Sequence, residues 1–249
     1  GGLSVLRMLL AAMPNERFVY LADSANAPYG ERGDAFVAAR THAITQYLCE
    51  QHGIKALVVA CNTATTAAIS QLRAEYPLAV IGVEPGVKPA VLASKTGVVG
   101  VLATPRTLQT PAFATLAQRF AGQACIELQP CPLLVQHIEA LDFNSTTLRA
   151  LLKSYIAPLL DKGADTLVLG CTHYNFVANT IAAIAGPAVT IIRTEEPVAR
   201  QLQQRLKQAQ LLADGSNTVT ETFYTSGSVD LFRLQLKQLW PGANSVLQI

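Results

Sequence analysis

Two cysteines stand in matching surroundings. Ala56 to Thr63 reads A-L-V-V-A-C-N-T, and Thr166 to His173 reads T-L-V-L-G-C-T-H. In each, an apolar run without polar alternation predicts a parallel strand buried on both faces. Each run ends in a small residue, then cysteine, then polar residues that open a helix. The two copies form a weak internal repeat whose cysteines lie 171 − 61 = 110 positions apart, about one domain length. Open α/β sheets place ligand crevices at the carboxyl ends of their strands, and a helix N-terminus there favours a thiolate over a thiol.

Paired thiols suit inversion of a stereocentre by proton transfer. One base removes a proton from one face while an acid returns one from the other; a single base would tend to return it to the face it left. A reference thiol pKa of about 8.5 can be brought near neutrality by a helix N-terminus or a nearby His, which predicts one thiolate and one thiol. His173, two residues beyond Cys171, is the expected tuner of the second thiol. Backbone N–H groups at the two helix starts are expected to hold a substrate carboxylate.

The plainer alternative for a lone strand-end cysteine is burial in the core. Repetition of the context reverses that preference for Cys61 and Cys171, whereas Cys49, Cys125 and Cys131 keep it. His42, His52 and His137 are expected to be solvated or half-buried helix residues. By residue type alone, Tyr29 could cap the core from a loop and Glu139 could sit on a helix surface. Asp23 and Glu84 suit turn or helix caps, and Lys88 and Arg106 suit solvated charges.

The elements that must position these residues alternate along the chain. Helix is expected at Ser4 to Ala12, strand at Phe18 to Ala22, and a polar loop at Asp23 to Gly33. Next come a helix from Asp34 to Gln51 with Gly53 as its cap, the strand from Ala56, a helix from Ala64 to Tyr76, and a strand from Ala79 to Val83. A short helix to Ser94 precedes a buried strand at Val98 to Ala103. Helices are expected at Thr107 to Phe120, Leu133 to Ala140 and Leu148 to Leu160, before the strand at Thr166. This alternation predicts a parallel-sheet α/β fold.

Composition limits the classes of function. The 249 residues can bury a sizeable core; 50% are apolar and 14% charged, which argues against disorder. Nineteen Lys plus Arg against seventeen Asp plus Glu leave a formal charge of +2, with no basic stripe for nucleic acid or a membrane surface. No apolar run is long enough to span a bilayer and no signal-peptide pattern is present. An odd number of scattered cysteines, five in all, points to the reducing cytoplasm and not to a disulfide framework. There is no C-x-x-C or H-E-x-x-H, so no metal site is expected. The Gly97 to Gly100 segment lacks G-x-G-x-x-G. The chain opens at Gly1-Gly2-Leu3 without an initiator methionine, so residues upstream are expected.

The ordered set of N-A-P-Y-G at Asn26, V-V-A-C-N-T at Val58, G-V-E-P-G at Gly82, C-P-L-L at Cys131 and L-G-C-T-H-Y at Leu169 resembles the glutamate racemases of the aspartate/glutamate racemase family. The resemblance extends over nearly the whole chain and includes the opening G-G-L-S-V-L. It implies a cofactor-independent enzyme that interconverts L- and D-glutamate and supplies D-glutamate for peptidoglycan. It also implies that Cys61 deprotonates the D enantiomer and Cys171 the L enantiomer, with His173 assisting Cys171 and Glu139 supporting His173. Asn62, Thr63 and Thr172 would hold the amino-acid end of the substrate, with Tyr29 and Gly30 nearby.

The implied architecture is two similar open-sheet α/β domains with the site in the cleft between them: residues 1–91 plus 199–249, and residues 92–198. A strand from Thr218 would return to the first sheet. A small-molecule substrate and a homodimer are the partners to test for.

Three departures from the family pattern stand out. The family opens Asp-Ser-Gly-x-Gly-Gly-Leu, and this sequence begins at the Gly-Gly; a chain truly lacking that Asp and Ser is expected to be badly impaired. Asn175 replaces a usual proline and Arg193 a usual Asp, with effects expected on packing or helix entry. The alternatives are an aspartate or hydantoin racemase, an amino-acid-binding member without turnover, and a cysteine hydrolase with a covalent acyl intermediate.

Overall fold

Apolar strands delivered one after another to parallel sheets, each followed by a helix, build the molecule. The computed structural model describes residues 1–120, 122–215, 221–242 and 245–249. The chain runs through α1 (Gly2–Ala12), β1 (Phe18–Ala22), a 3-10 turn at Tyr29–Glu31, α2 (Asp34–His52), β2 (Ala56–Val59), α3 (Asn62–Glu75), β3 (Ala79–Gly82) and α4 (Val87–Ala93). There follow β4 (Val98–Ala103), α5 (Pro105–Leu108), α6 (Pro111–Gln118), β5 (Cys125–Pro130), α7 (Leu134–Glu139), α8 (Thr146–Asp161) and β6 (Thr166–Leu169). A 3-10 turn at Thr172–Val177 leads to α9 (Ala178–Ala185), β7 (Thr190–Ile192), α10 (Glu195–Gln208), β8 (Glu221–Thr225), α11 (Val229–Leu239) and β9 (Val246–Gln248).

The sheets have the orders β1-β8-β9, β2-β3 and β5-β4-β6-β7. Every pairing among the described residues is parallel, so the expected α/β class holds. The chain returns late to its start: β8 pairs with β1 from Phe18 opposite Glu221 to Ala22 opposite Thr225. Of the strand expected from Thr218, residues up to Thr220 lie outside the described ones. Helix α10 packs on α1 and β3, whereas α4 packs on β4, β6 and β7. Among the described residues, no helix is long and apolar enough to cross a membrane.

Several expectations change for local reasons. The helix expected from Thr107 to Phe120 is two helices, because Thr104 and Thr110 each cap a new start and are each followed by proline. A residue before proline is pushed out of helical geometry, and proline fits the first helical position. The segment after Cys171 opens as a 3-10 turn before α9 forms. Cys125 is not in the core; it is exposed on the edge strand β5, its thiol 3.4 Å from Glu127 Oε1. Both faces of β6 are buried as predicted, but β2 alternates buried and half-buried, and β1 is half-buried throughout. The difference arises because β1 and β2 border a cavity of about 850 Å³.

Two features fix the strand that delivers Cys171. The Asp165 carboxylate accepts hydrogen bonds from Ser94 Oγ at 2.6 Å and from the backbone N–H of Lys95 and Thr96 at 2.6 and 2.9 Å. These charge-assisted bonds clamp the α4–β4 turn to the start of β6 and hold the carboxyl well below its usual range. At the other end, Gly170 N–H donates to Leu102 O at 2.8 Å. A Cβ at Gly170 would lie 2.9 Å from that backbone oxygen and 2.9 Å from Ala103 Cβ. Gly170→Ala is therefore expected to destabilise the fold by about 1–3 kcal/mol through overpacking, measured by urea denaturation, and to displace Cys171. An unchanged midpoint would show that the turn tolerates the extra carbon.

Candidate active site

Cys61 and Cys171 occupy the same backbone position in their two contexts. Each is the residue before a helical turn, with φ −147°, ψ 127° at Cys61 and φ −143°, ψ 134° at Cys171. Extended geometry at such a position turns the side chain back over the first free N–H groups of the helix. The N–H groups of Ala64 and Thr63 favour the Cys61 thiolate, and those of His173 and Tyr174 favour the Cys171 thiolate. Both cysteines line the one cavity, which also reaches Tyr29, Gly30, Thr63 and Glu139.

The two turns are tied together. Thr172 Oγ1 donates to Ala60 O at 3.1 Å, linking the residue after Cys171 to the residue before Cys61. Ser4 Oγ donates to Thr172 O at 3.0 Å and in turn accepts from Asn175 Nδ2 at 3.2 Å. Asn175, which replaces a usual proline, thus braces the Cys171 turn against α1. The other departure, Arg193, lies 3.9 Å from Glu195 and donates to Asn179 at 3.3 Å, on the outside of the site.

Cys171 carries a relay. Its sulfur is 3.7 Å from His173 Nδ1, and His173 Nε2 is 2.5 Å from Glu139 Oε1. With Nε2–H donating to the carboxylate, the neutral imidazole presents the Nδ1 lone pair to the thiol. Burial lowers the His173 pKa, which keeps the ring neutral and able to accept a proton. Burial acts to raise the Glu139 pKa, but the hydrogen bonds from His173 and Gln235 oppose it and hold the carboxyl below its usual range. Helix α7, which presents Glu139, has Leu133 at φ 64° before it and Leu141 at φ 61° after it. Left-handed geometry at a leucine costs about 1–2 kcal/mol, so this short helix is held in place by its surroundings. Those include Tyr155, whose hydroxyl donates to Pro132 O, and Asp142, 2.9 Å from His137.

The thiols themselves depart from expectation. Helix-start N–H groups were expected to bring them near neutrality; instead burial raises both, and Cys171 is pushed up to about 12 by burial first and by the facing charge of Cys61 second. Desolvation of a charged sulfur outweighs two backbone donors in the free cleft.

The remaining predicted residues are placed as follows. The Tyr29 hydroxyl donates to Asp23 Oδ2 at 2.5 Å, and Asp23 also accepts from Arg40, Asn26 and Ser226. Tyr29 is therefore a fixed phenol on the wall. Gly30 lies against Thr104, where a Cβ would come within 3.0 Å. Thr63 Oγ1 is 3.1 Å from Thr107 Oγ1, which is 2.9 Å from Thr104 Oγ1. Asn62 is not among the cavity-lining residues; its Nδ2 donates to Val83 O at 3.2 Å, and its Oδ1 has no partner. Arg106 pairs with Asp34 at 2.7 Å, away from the cleft.

Sequence reasoning missed Thr104 and Thr107. The signal was T-P-R-T directly after the buried strand β4, a capped helix start at the same strand end that holds the two cysteines. It also missed Gln235, on a helix with no motif to mark it.

The family model described as Asp/Glu/Hydantoin racemase matches residues 2–202. The chain belongs to that family. It is an amino-acid racemase, an isomerase. A glutamate racemase of Pseudomonas entomophila is 48% identical over 99% of this chain and 92% of its own. One of Stutzerimonas stutzeri is 46% identical over 100% of this chain and 93% of its own. The crystal structure of a Bacillus anthracis glutamate racemase superposes with TM-score 0.89 at 31% identity, covering 99% of this chain and 92% of that one.

For this racemase, raised thiol pKa values have a direct consequence. Alkylation of Cys171 by iodoacetamide, followed by peptide mass spectrometry, is expected to accelerate steadily from pH 7 to above pH 10. A plateau near pH 8.5 would contradict the burial of this thiol.

Proposed function

We propose that the racemase interconverts L- and D-glutamate by a two-thiol mechanism, with Cys61 serving one face of the α-carbon and Cys171 the other. The observation that carries the proposal is the pair of cysteines with matching backbone geometry lining one cavity. Glutamate as substrate is supported by the near-full-length glutamate racemase relatives and by an Escherichia coli glutamate racemase structure with L-glutamate bound, TM-score 0.86 at 26% identity.

In the proposed reaction, a thiolate takes the α-proton and the opposite thiol donates one to the other face of the carbanion, with no cofactor. Cys61 deprotonates the D enantiomer and Cys171 the L enantiomer. On the Cys171 side, His173 Nδ1 accepts the thiol proton while Glu139 steadies the imidazolium that forms. The substrate's ammonium group favours the neighbouring thiolate, offsetting the burial that keeps both sulfurs protonated in the free cleft. Thr63, with Thr104 and Thr107 behind it, and the N–H groups at the two helix starts supply donors for carboxylate. Residues 1–91 plus 199–249 and residues 92–198 form the two walls. The product D-glutamate serves peptidoglycan synthesis in the cytoplasm, and a homodimer is the proposed assembly.

Cys61→Ala and Cys171→Ala are each expected to lower racemisation at least about a thousandfold, the scale of a lost general acid or base, followed by circular dichroism of glutamate. In deuterium oxide, each variant should still exchange the α-proton of one enantiomer, a different one for each. Racemisation surviving either substitution would sink the two-thiol assignment.

A further inference from the structure

Glu139 is the last residue of a short helix and its side chain is 43% exposed. A carboxylate so exposed samples several rotamers in water unless a second group fixes it. That second group is Gln235. Its Nε2 donates to Glu139 Oε2 at 3.0 Å and to the Glu139 backbone oxygen at 3.0 Å, while the other carboxylate oxygen, Oε1, accepts from His173 Nε2. One amide therefore holds both the helix end and the side chain. Gln235 is itself held by a rigid element. Its helix, α11, is capped by Ser228, whose Oγ accepts from Leu231 N–H, and buries Phe232 and Leu236 in the core between β8, β9 and α1.

We infer that Gln235 is a positioning residue for the Cys171 side of the reaction: it aims Glu139, and through it the His173 tautomer, at the Cys171 thiol. The inference rests on the two-thiol mechanism proposed above. It gives the returning C-terminal segment a role in one half-reaction only, because nothing on α11 makes a corresponding bond to the Cys61 turn among the described residues. The titratable side chains coupled to Glu139 are His173 and Tyr20. Gln235 is neutral and adds direction without adding charge.

The test uses Gln235→Met, which keeps the length and loses the donor, and Gln235→Lys, which keeps a donor. Because the two enantiomers have equal free energies in achiral solvent, kcat/KM must remain equal in the two directions of any variant. The diagnostic is the primary isotope effect on kcat/KM with α-deuterated L- and D-glutamate. In Gln235→Met, kcat should fall on the order of tenfold, a part of what a general acid or base contributes, with KM within about threefold. The isotope effect should rise for the enantiomer that Cys171 deprotonates and fall for the other, as proton transfer at Cys171 becomes the slower step. Gln235→Lys should recover most of the rate. Loss of rate with unchanged isotope effects for both enantiomers would overturn the role of Gln235 and leave the two-thiol mechanism standing. Product enantiomer that retains the original α-protium in deuterium oxide with the unaltered enzyme would overturn both.

Discussion

The hydrogen bond from Thr172 Oγ1 to Ala60 O joins two points 112 residues apart in sequence. It runs from the residue after one cysteine to the residue before the other, so the two strand ends cannot move independently without breaking it. Both cysteines then sit in extended geometry ahead of a helical turn, and their backbone angles agree within ten degrees. Chemistry at a single α-carbon requires such registration, because proton donor and acceptor must be placed on opposite faces to well under an ångström or two. Gly170 and the Asp165 clamp serve the same requirement from behind, fixing where β6 ends.

Competition between burial and backbone donors sets the state of the free site. Each sulfur has two N–H groups in its favour, yet burial raises both thiols, so the free cleft holds thiols and a neutral imidazole. The carboxylates of Glu139 and Asp23 stay ionised. In the proposed mechanism this is a useful resting state. Charge separation waits for a substrate that carries its own ammonium group, and the thiols stay less reactive toward other electrophiles in the meantime.

Much of this was legible in the sequence because it is local. Continuous apolar runs marked β2, β4 and β6, Gly53 marked the end of α2 with φ 55°, and the repeated strand-Cys context singled out the two cysteines that line the same cavity. What was not legible depends on long-range packing. Nothing in A-L-V-V-A shows that its strand will border a cavity, so β2 was expected to be more buried than it is. Whether a helix-start cysteine is acidic depends on desolvation by residues far away in sequence. Asn62 was expected to face the substrate, but its side-chain nitrogen donates to Val83 O; only the close approach of the β3 end explains that orientation. Gln235 has no motif at all, and its role arises from where α11 lands once β8 has paired with β1.

The most direct measurement of the central claim follows the α-hydrogen by proton NMR when the unaltered enzyme acts on L-glutamate in deuterium oxide. Two thiols on opposite faces predict that the first D-glutamate formed carries deuterium while the remaining L-glutamate keeps its protium. D-glutamate that retains the original protium, or deuterium entering both enantiomers at equal early rates, would contradict it.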